Sequence, residues 1–173
     1  MPSPETNLPA GQAALTGSSR EPWFAAGLRF TCTQCGNCCS GSSGSVYLSQ
    51  ADIARLAAHF EVAPGRFVRR YTHLVRGRRV LNDQASSSDC VFLRDNLCTV
   101  YEARPTQCRT YPWWLRNIRD PESWQAAAAF CEGIDHPTAP LIPATEILAQ
   151  ARLDQQNESA AIQTGRIDAA PER

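Results

Sequence analysis

Apolar residues along this chain fall into short runs, and the runs predict many small elements. Residues 1–22 are rich in Pro, Ser, Gly, Ala and Thr without periodicity, which predicts a disordered tail. Order is expected to begin at Trp23, Phe24, Leu28 and Phe30. Val46-Tyr47-Leu48 reads as extended. Ser49 is placed to cap a helix, and Asp52 stands at its third position, where a carboxylate favours the N-terminus. Ile53, Leu56, Ala57 and Phe60 follow on one face at helical spacing. Pro64-Gly65 opens a second short helix through Phe67, Val68 and Tyr71. Leu74-Val75 and Val80-Leu81, separated by Arg76-Gly77-Arg78, predict a hairpin turning at Gly77.

The second half of the chain is more broken. Two short apolar segments, from Cys90 to Leu93 and from Leu97 to Tyr101, flank the turn Arg94-Asp95-Asn96. Thr99 and Glu102 have capping-box spacing. Pro105 keeps Arg104 out of the helical region and can itself begin a new short helix that carries Cys108. Trp124 to Cys131 is ambiguous between strand and helix. From Thr145 to about Ala160 an amphipathic helix carries Ile147, Leu148 and Ala151 on one side. The pattern predicts an α+β fold, a small metal-stabilised single domain of short helices and strands. Its expected organisation is a tail at residues 1–22, a cysteine-rich domain at 23–138, and a C-terminal helix and tail at 139–173.

Composition narrows the chemistry. Formal net charge is +0 across 173 residues, so the chain as a whole has no electrostatic pull toward nucleic acid or an anionic membrane. All 17 basic residues are Arg. Without Lys there is no Schiff-base lysine, no Walker-type phosphate loop and no lysine general base. Residues 1–20 have neither a basic n-region nor an apolar h-region, and no segment reaches the ~20 apolar residues of a membrane span. A cytoplasmic, reducing location is therefore expected, where the 8 cysteines act as metal ligands or redox groups and not as disulfides.

Cys32-Thr33-Gln34-Cys35 and Cys35-Gly36-Asn37-Cys38 are overlapping C-x2-C units. Two intervening residues allow one tight turn that brings both sulfurs toward the same point, and Gly36 and Asn37 tolerate the positive φ such turns need. Thiolates so placed suit tetrahedral zinc and also iron–sulfur clusters. Cys39 follows Cys38 directly. Consecutive side chains of an extended chain point apart, so Cys39 is expected to face away from the first three. It would then join Cys90, Cys98, Cys108 and Cys131 or remain a reactive thiol. A thioredoxin-like use of Cys35 and Cys38 needs a helix where Ser40 to Ser45 supplies a flexible connector.

Phe30-x-Cys32-x-x-Cys35-Gly36-x-Cys38-Cys39 resembles the signature of the CxxCxxCC, or YkgJ-like, family of zinc- or iron-chelating cysteine-cluster proteins. Val46-Tyr47-Leu48-Ser49, Asp52-Ile53, Cys90-Val91-Phe92-Leu93, Cys98-Thr99-Val100-Tyr101-Glu102, Arg104-Pro105-x-x-Cys108-Arg109-x-Tyr111-Pro112 and Cys131-Glu132-Gly133-Ile134 resemble its later segments. The resemblance covers about residues 28–135 and uses all eight cysteines. It implies that Cys32, Cys35, Cys38, Cys39, Cys90, Cys98, Cys108 and Cys131 bind zinc or iron, an iron–sulfur cluster included. A similar cluster in flagellin lysine N-methylases implies an enzymatic role for some relatives.

Three classes of function follow: a metal-binding or carrier protein, a metal- or cluster-dependent enzyme, and a structural zinc module for a protein partner. No catalytic acid or base stands out. Arg104, Arg109 and Arg116 are placed to offset thiolate charge. The six arginines between Arg66 and Arg79 read as a solvated face, Trp113 and Trp114 as a cover for the metal site, and His59, His73 and His136 as scattered residues outside it.

Overall fold

The computed structural model describes residues 21–41, 44–162 and 164. The tail expected at residues 1–22 falls almost wholly outside them. The fold is α+β, with six α-helices and short antiparallel strand pairs among the described residues.

Helix α1 (Gln50–His59) begins at a reciprocal capping box: the Ser49 hydroxyl accepts from the Asp52 amide while the Asp52 carboxylate accepts from the Ser49 amide. Its buried face is Ile53, Leu56 and Ala57. Helix α2 (Pro64–Tyr71) starts on Pro64, buries Phe67 and Val68, and places Arg69 and Arg70 in its last turn, where cations complement the helix dipole. Strands β2 (Thr72–Val75) and β3 (Arg78–Leu81) then form the expected hairpin, with Arg76 and Gly77 at φ of 50° and 76° in its turn. Residues 46–48 join its edge, with the Leu48 amide on the Arg79 carbonyl at 3.0 Å and the Leu81 amide on the Val46 carbonyl at 3.0 Å. Leu48, Ile53, Leu56, Phe67, Leu81, Phe92 and Val100 make the first core. Phe60 stacks over Tyr71 and Phe92 at 5.1 and 5.5 Å along its edge.

A second core forms from residues 24–28 and residues 113–151. Strand β1 (Leu28–Arg29) pairs with β6 (Leu141–Ile142). Helices α4 (Leu115–Ile118), α5 (Pro121–Ala128) and α6 (Ala144–Ala161) pack around Trp113 and Trp124, stacked at 5.4 Å and 11°. Residues 124–128 are helical, which resolves the ambiguous stretch, because Pro121 at the helix start and an Asp120 cap on the Ser123 amide nucleate α5. Strands β4 (Leu93–Arg94) and β5 (Leu97–Cys98) and the four-residue helix α3 (Thr106–Arg109) lie between the cores. Thr99 makes no capping box with Glu102; its hydroxyl donates to the Phe92 carbonyl at 2.9 Å, holding the β4–β5 hairpin closed.

The joint between α1 and the cysteine-bearing segment is the Asp52 carboxylate, which is fully buried. It accepts from the Ser49 amide and hydroxyl, from the Thr106 amide at 2.9 Å and hydroxyl at 2.8 Å, and from Arg55. Arg55 also donates to the carbonyls of Ala103 and Arg104. Burial alone would raise the Asp52 pKa, but the bonds from Thr106 and Ser49 outweigh it and hold the carboxyl below its ordinary 3.8.

Asp52→Asn should therefore destabilise the fold by about 2–4 kcal/mol, since buried donors lose a charged acceptor. Because the folded pKa is depressed, the stability Asp52 contributes is fully present above its unfolded pKa and is lost as pH falls through the folded value. Denaturant titrations from neutral pH down to pH about 3 should show the wild-type advantage over Asp52→Asn shrinking at the acid end. An advantage constant across that range would remove the ionised carboxylate from the account.

Candidate metal centre

The first cysteine loop is held at both ends by backbone contacts. At its start, Phe30 bridges Ile134 and the Thr31 amide donates to the Gly133 carbonyl at 3.1 Å. A side chain on Gly133 would place its Cβ 1.9 Å from the Thr31 oxygen, so only glycine allows this approach. In the middle, Gln34 and Gly36 turn the chain at φ of 58° and 79°, and Gly36 lies against the β4–β5 turn, where a Cβ would sit 2.5 Å from the Asn96 oxygen. At its end, residues Asn37–Cys39 form a 3₁₀ turn. The Cys90 amide donates to the Cys39 carbonyl at 2.7 Å, and the Gly41 amide to Asp89 at 2.9 Å. The Asn37 side chain reaches the Phe130 carbonyl at 3.3 Å, next to Cys131. The cysteines of four separate segments are thereby gathered around one loop.

All eight are free thiols. Cys38 and Cys39 do not point apart as expected: the 3₁₀ turn keeps both on one side, with Sγ atoms 3.8 Å apart. Four thiolates on zinc at 2.3 Å stand about 3.8 Å from one another by tetrahedral geometry, so this separation already matches one edge of such a site. The Cys39 thiol also interacts with Cys90 and Cys98. Its pKa is driven far up, first by sharing its proton with Cys38 and then with Cys90 and Cys98. The recipients move the other way. Cys38 is drawn down to about 7 and Cys98 to about 6, in each case first by the bond from Cys39, and Cys90 is lowered for the same reason. Cys39 thus shifts the protonation of Cys38, Cys90 and Cys98 together, as neighbouring sulfurs do.

The surroundings suit thiolates. Cys90 and Cys98 each accept the amide two residues on, from Phe92 and Val100, and Cys131 accepts those of Gly133 and Ile134. Backbone donors of this kind stabilise ligand sulfur. The Arg104 guanidinium lies 3.5 Å over the Tyr101 ring, bonds the Tyr101 carbonyl at 2.8 Å, and acts electrostatically on Cys38, Cys98 and Cys108. Of the three arginines singled out in the sequence, it is the one with its charge directed at the cluster. Arg116 stacks on Trp114 at 4.3 Å, and Arg109 is exposed. Burial pushes the half-buried Cys108 thiol up, with the charges of Cys90, Cys38 and Cys98 adding to it. Trp113 lies in the second core, while Trp114 lines a cavity of about 880 Å³ with Cys38, Tyr111, Arg116, Phe130 and Asp154. The histidines stay outside, bonded to Asn82 and Thr138 or edge-on to Phe60.

Sequence reasoning passed over Tyr101 and Tyr111, whose hydroxyls interact with Cys32 and Cys131. It also missed the close approaches at Gly36 and Gly133. Their only signal was position, each glycine lying one or two residues beyond a cysteine. Among the described residues no three cysteine, histidine or carboxylate side chains are yet drawn up around a single point as a bound metal would hold them. The donor set itself, soft sulfurs with amide and guanidinium donors behind them, fits zinc or iron.

The family comparison agrees with that chemistry. Residues 31–132 match the model of the CxxCxxCC family, described as a "putative zinc- or iron-chelating domain", and the chain belongs to that family. No solved structure matches it.

Two glycine substitutions test the assembly. Gly36→Ala and Gly133→Ala should each lower the melting temperature and reduce retained metal, because backbone would have to move at the loop. Gly77→Ala has φ of 76° but open space around it, so it should cost about 1 kcal/mol and leave metal content unchanged. Calorimetry and elemental analysis across the three variants separate close approach from backbone strain.

Proposed function

We propose that this protein binds zinc or iron, the latter as an ion or an iron–sulfur cluster, through Cys32, Cys35, Cys38, Cys39, Cys90, Cys98, Cys108 and Cys131. The observation that carries the reading is the 3.8 Å approach of the Cys38 and Cys39 Sγ atoms, one edge of a tetrahedral thiolate site, with Cys90 tied to Cys39 by a 2.7 Å backbone bond. Eight free thiols suit a reducing compartment such as the cytoplasm. Among the described residues no helix is long and apolar enough to cross a membrane. A metal ion is the primary partner, and a protein partner is compatible with the half-open cysteine loop.

The cavity beside Cys38 favours a second reading, in which the centre does chemistry on a bound molecule. Its volume of about 880 Å³ falls within the range of small-molecule sites. In that case the metal would supply Lewis-acid or redox chemistry, while Trp114, Tyr111 and Phe130 would pack against the ligand and keep water away.

Anaerobic purification followed by elemental analysis and a visible spectrum distinguishes the metals, since zinc is redox-silent and colourless while iron–sulfur centres absorb. Protein that carries neither zinc nor iron after anaerobic purification, and takes up neither on reconstitution, would defeat the proposal. Metal removal by chelator should lower stability by several kcal/mol, because thiolate–metal bonds form only in the folded chain.

The unit that binds metal should extend past residue 138. A fragment of residues 23–164 keeps both cores and the buried Thr164 hydroxyl that accepts the Arg79 amide, and it should retain full metal content. Ending at 138 removes Ile147 and Ala151 from the second core and β6 from β1, and should abolish cooperative unfolding. Limited metal retention by the longer fragment would mean that residues 1–22 or those after 164 contribute to the site.

A further inference from the structure

We propose that seven of the eight cysteines form two unequal centres: an inner one of Cys38, Cys39, Cys90 and Cys98, and an outer one of Cys32, Cys35 and Cys131 with an open coordination position. The division rests on the metal-binding reading above. It is drawn from how the chain anchors the sulfurs.

Two independent pieces of backbone hold the two sets. Cys39 is fixed to Cys90 by the 2.7 Å amide bond, and Cys90 to the β4–β5 hairpin by the Leu93 amide on its carbonyl at 2.9 Å. Cys98 pairs directly with Leu93 across that hairpin. The Cys38–Cys39 separation of 3.8 Å completes this group of four sulfurs. Cys32 and Cys131 are fixed elsewhere, by the bridge between Phe30 and Ile134 and the close approach of Thr31 to Gly133. The two anchors belong to different cores. Cys90 and Cys98 pack against the first, Phe30 and Cys131 against the second. Cys35 lies on the loop between the two anchors, three residues beyond Cys32.

The sets differ in number and not in exposure, since each has one exposed sulfur, Cys38 or Cys32, and the rest half-buried. Four sulfurs complete a tetrahedral zinc, as structural sites do, whereas three leave one position for a ligand from solution. The remaining thiol, the half-buried Cys108, sits on α3 and belongs to neither set. In the outer set Cys32 is exposed, and Cys35 and Cys131 are half-buried. Phe130, 75 % exposed beside Cys131, stands at the same mouth. The chemical class suited to the outer site is a soft divalent metal that takes a thiolate or an imidazole as its fourth ligand.

The test is an anaerobic titration of the reduced, metal-free full chain with cobalt(II), read by its visible spectrum, with imidazole added at each stage. Two successive phases are expected, the first indifferent to imidazole and the second shifting with it. Cys32→Ser and Cys131→Ser should remove the second phase and the imidazole response while preserving the first. Cys90→Ser and Cys98→Ser should remove the first. Circular dichroism of each variant reports folding. If Cys131→Ser unfolds, Cys32→Ser, altered at an exposed loop position, decides the matter. A single phase lost alike in all four variants, or an imidazole shift that survives in Cys32→Ser, overturns the division while leaving metal binding intact. Failure of the wild-type chain to bind cobalt at all would instead overturn the metal-binding proposal itself.

Discussion

Cys39 is the point on which the architecture turns. Its Sγ stands 3.8 Å from that of Cys38 and its carbonyl accepts the Cys90 amide at 2.7 Å, so two segments of the chain meet at this one residue. Thiolates that close cannot all carry charge without a counterion, because like charges in a partly desolvated setting repel strongly. On the proposed reading a cation drawn between these sulfurs would cross-link segments far apart in sequence, and the constraint that sets thiols against one another would make them good ligands.

That cross-link matters because the hydrophobic side of the molecule is divided. One core is built from α1, α2 and the β2–β3 hairpin, the other from Trp113, Trp124 and α6. Neither alone is large, and small cores are marginal. Two polar devices join them. Asp52 binds α1 to the Thr106 turn ahead of Cys108, and Thr110, at the end of α3, donates to Asp154 of α6 at 3.0 Å. Gln107 adds a clamp between them, accepting from the Tyr47 amide and donating to the Ser45 carbonyl. The short α3 is thus held by side-chain bonds on several sides, which fixes Cys108 despite a helix too brief to be stable alone.

The charge distribution follows the same logic. A chain of zero net charge with arginine as its only base still directs one guanidinium, that of Arg104, at the cysteines. Its stacking on Tyr101 and its bond to the Tyr101 carbonyl hold it there without engaging a carboxylate, so its charge remains available to sulfur. The cavity at Cys38 opens on the other side, bounded by Trp114 and by Asp154 of α6, and gives the centre one sheltered approach.

The sequence by itself determined the local elements and the donor chemistry. Capping at Ser49, the proline at 64 and the Gly77 turn act within a few residues, and their effects are legible because the interactions are local. The eight cysteines and the motifs around them were equally plain. What only the tertiary structure decided is how those parts meet. Asp52 reads from sequence as a helix-start carboxylate, yet its main partners lie 54 residues away. Cys39 reads as turned away from Cys38, and a 3₁₀ turn instead sets both sulfurs together. Gly36 and Gly133 carry no periodic signal, because what excludes a side chain there is the backbone of Asn96 and Thr31 arriving from elsewhere. Spacing along a chain limits which groups can meet locally; which distant groups do meet is set by the packing of two cores around one loop.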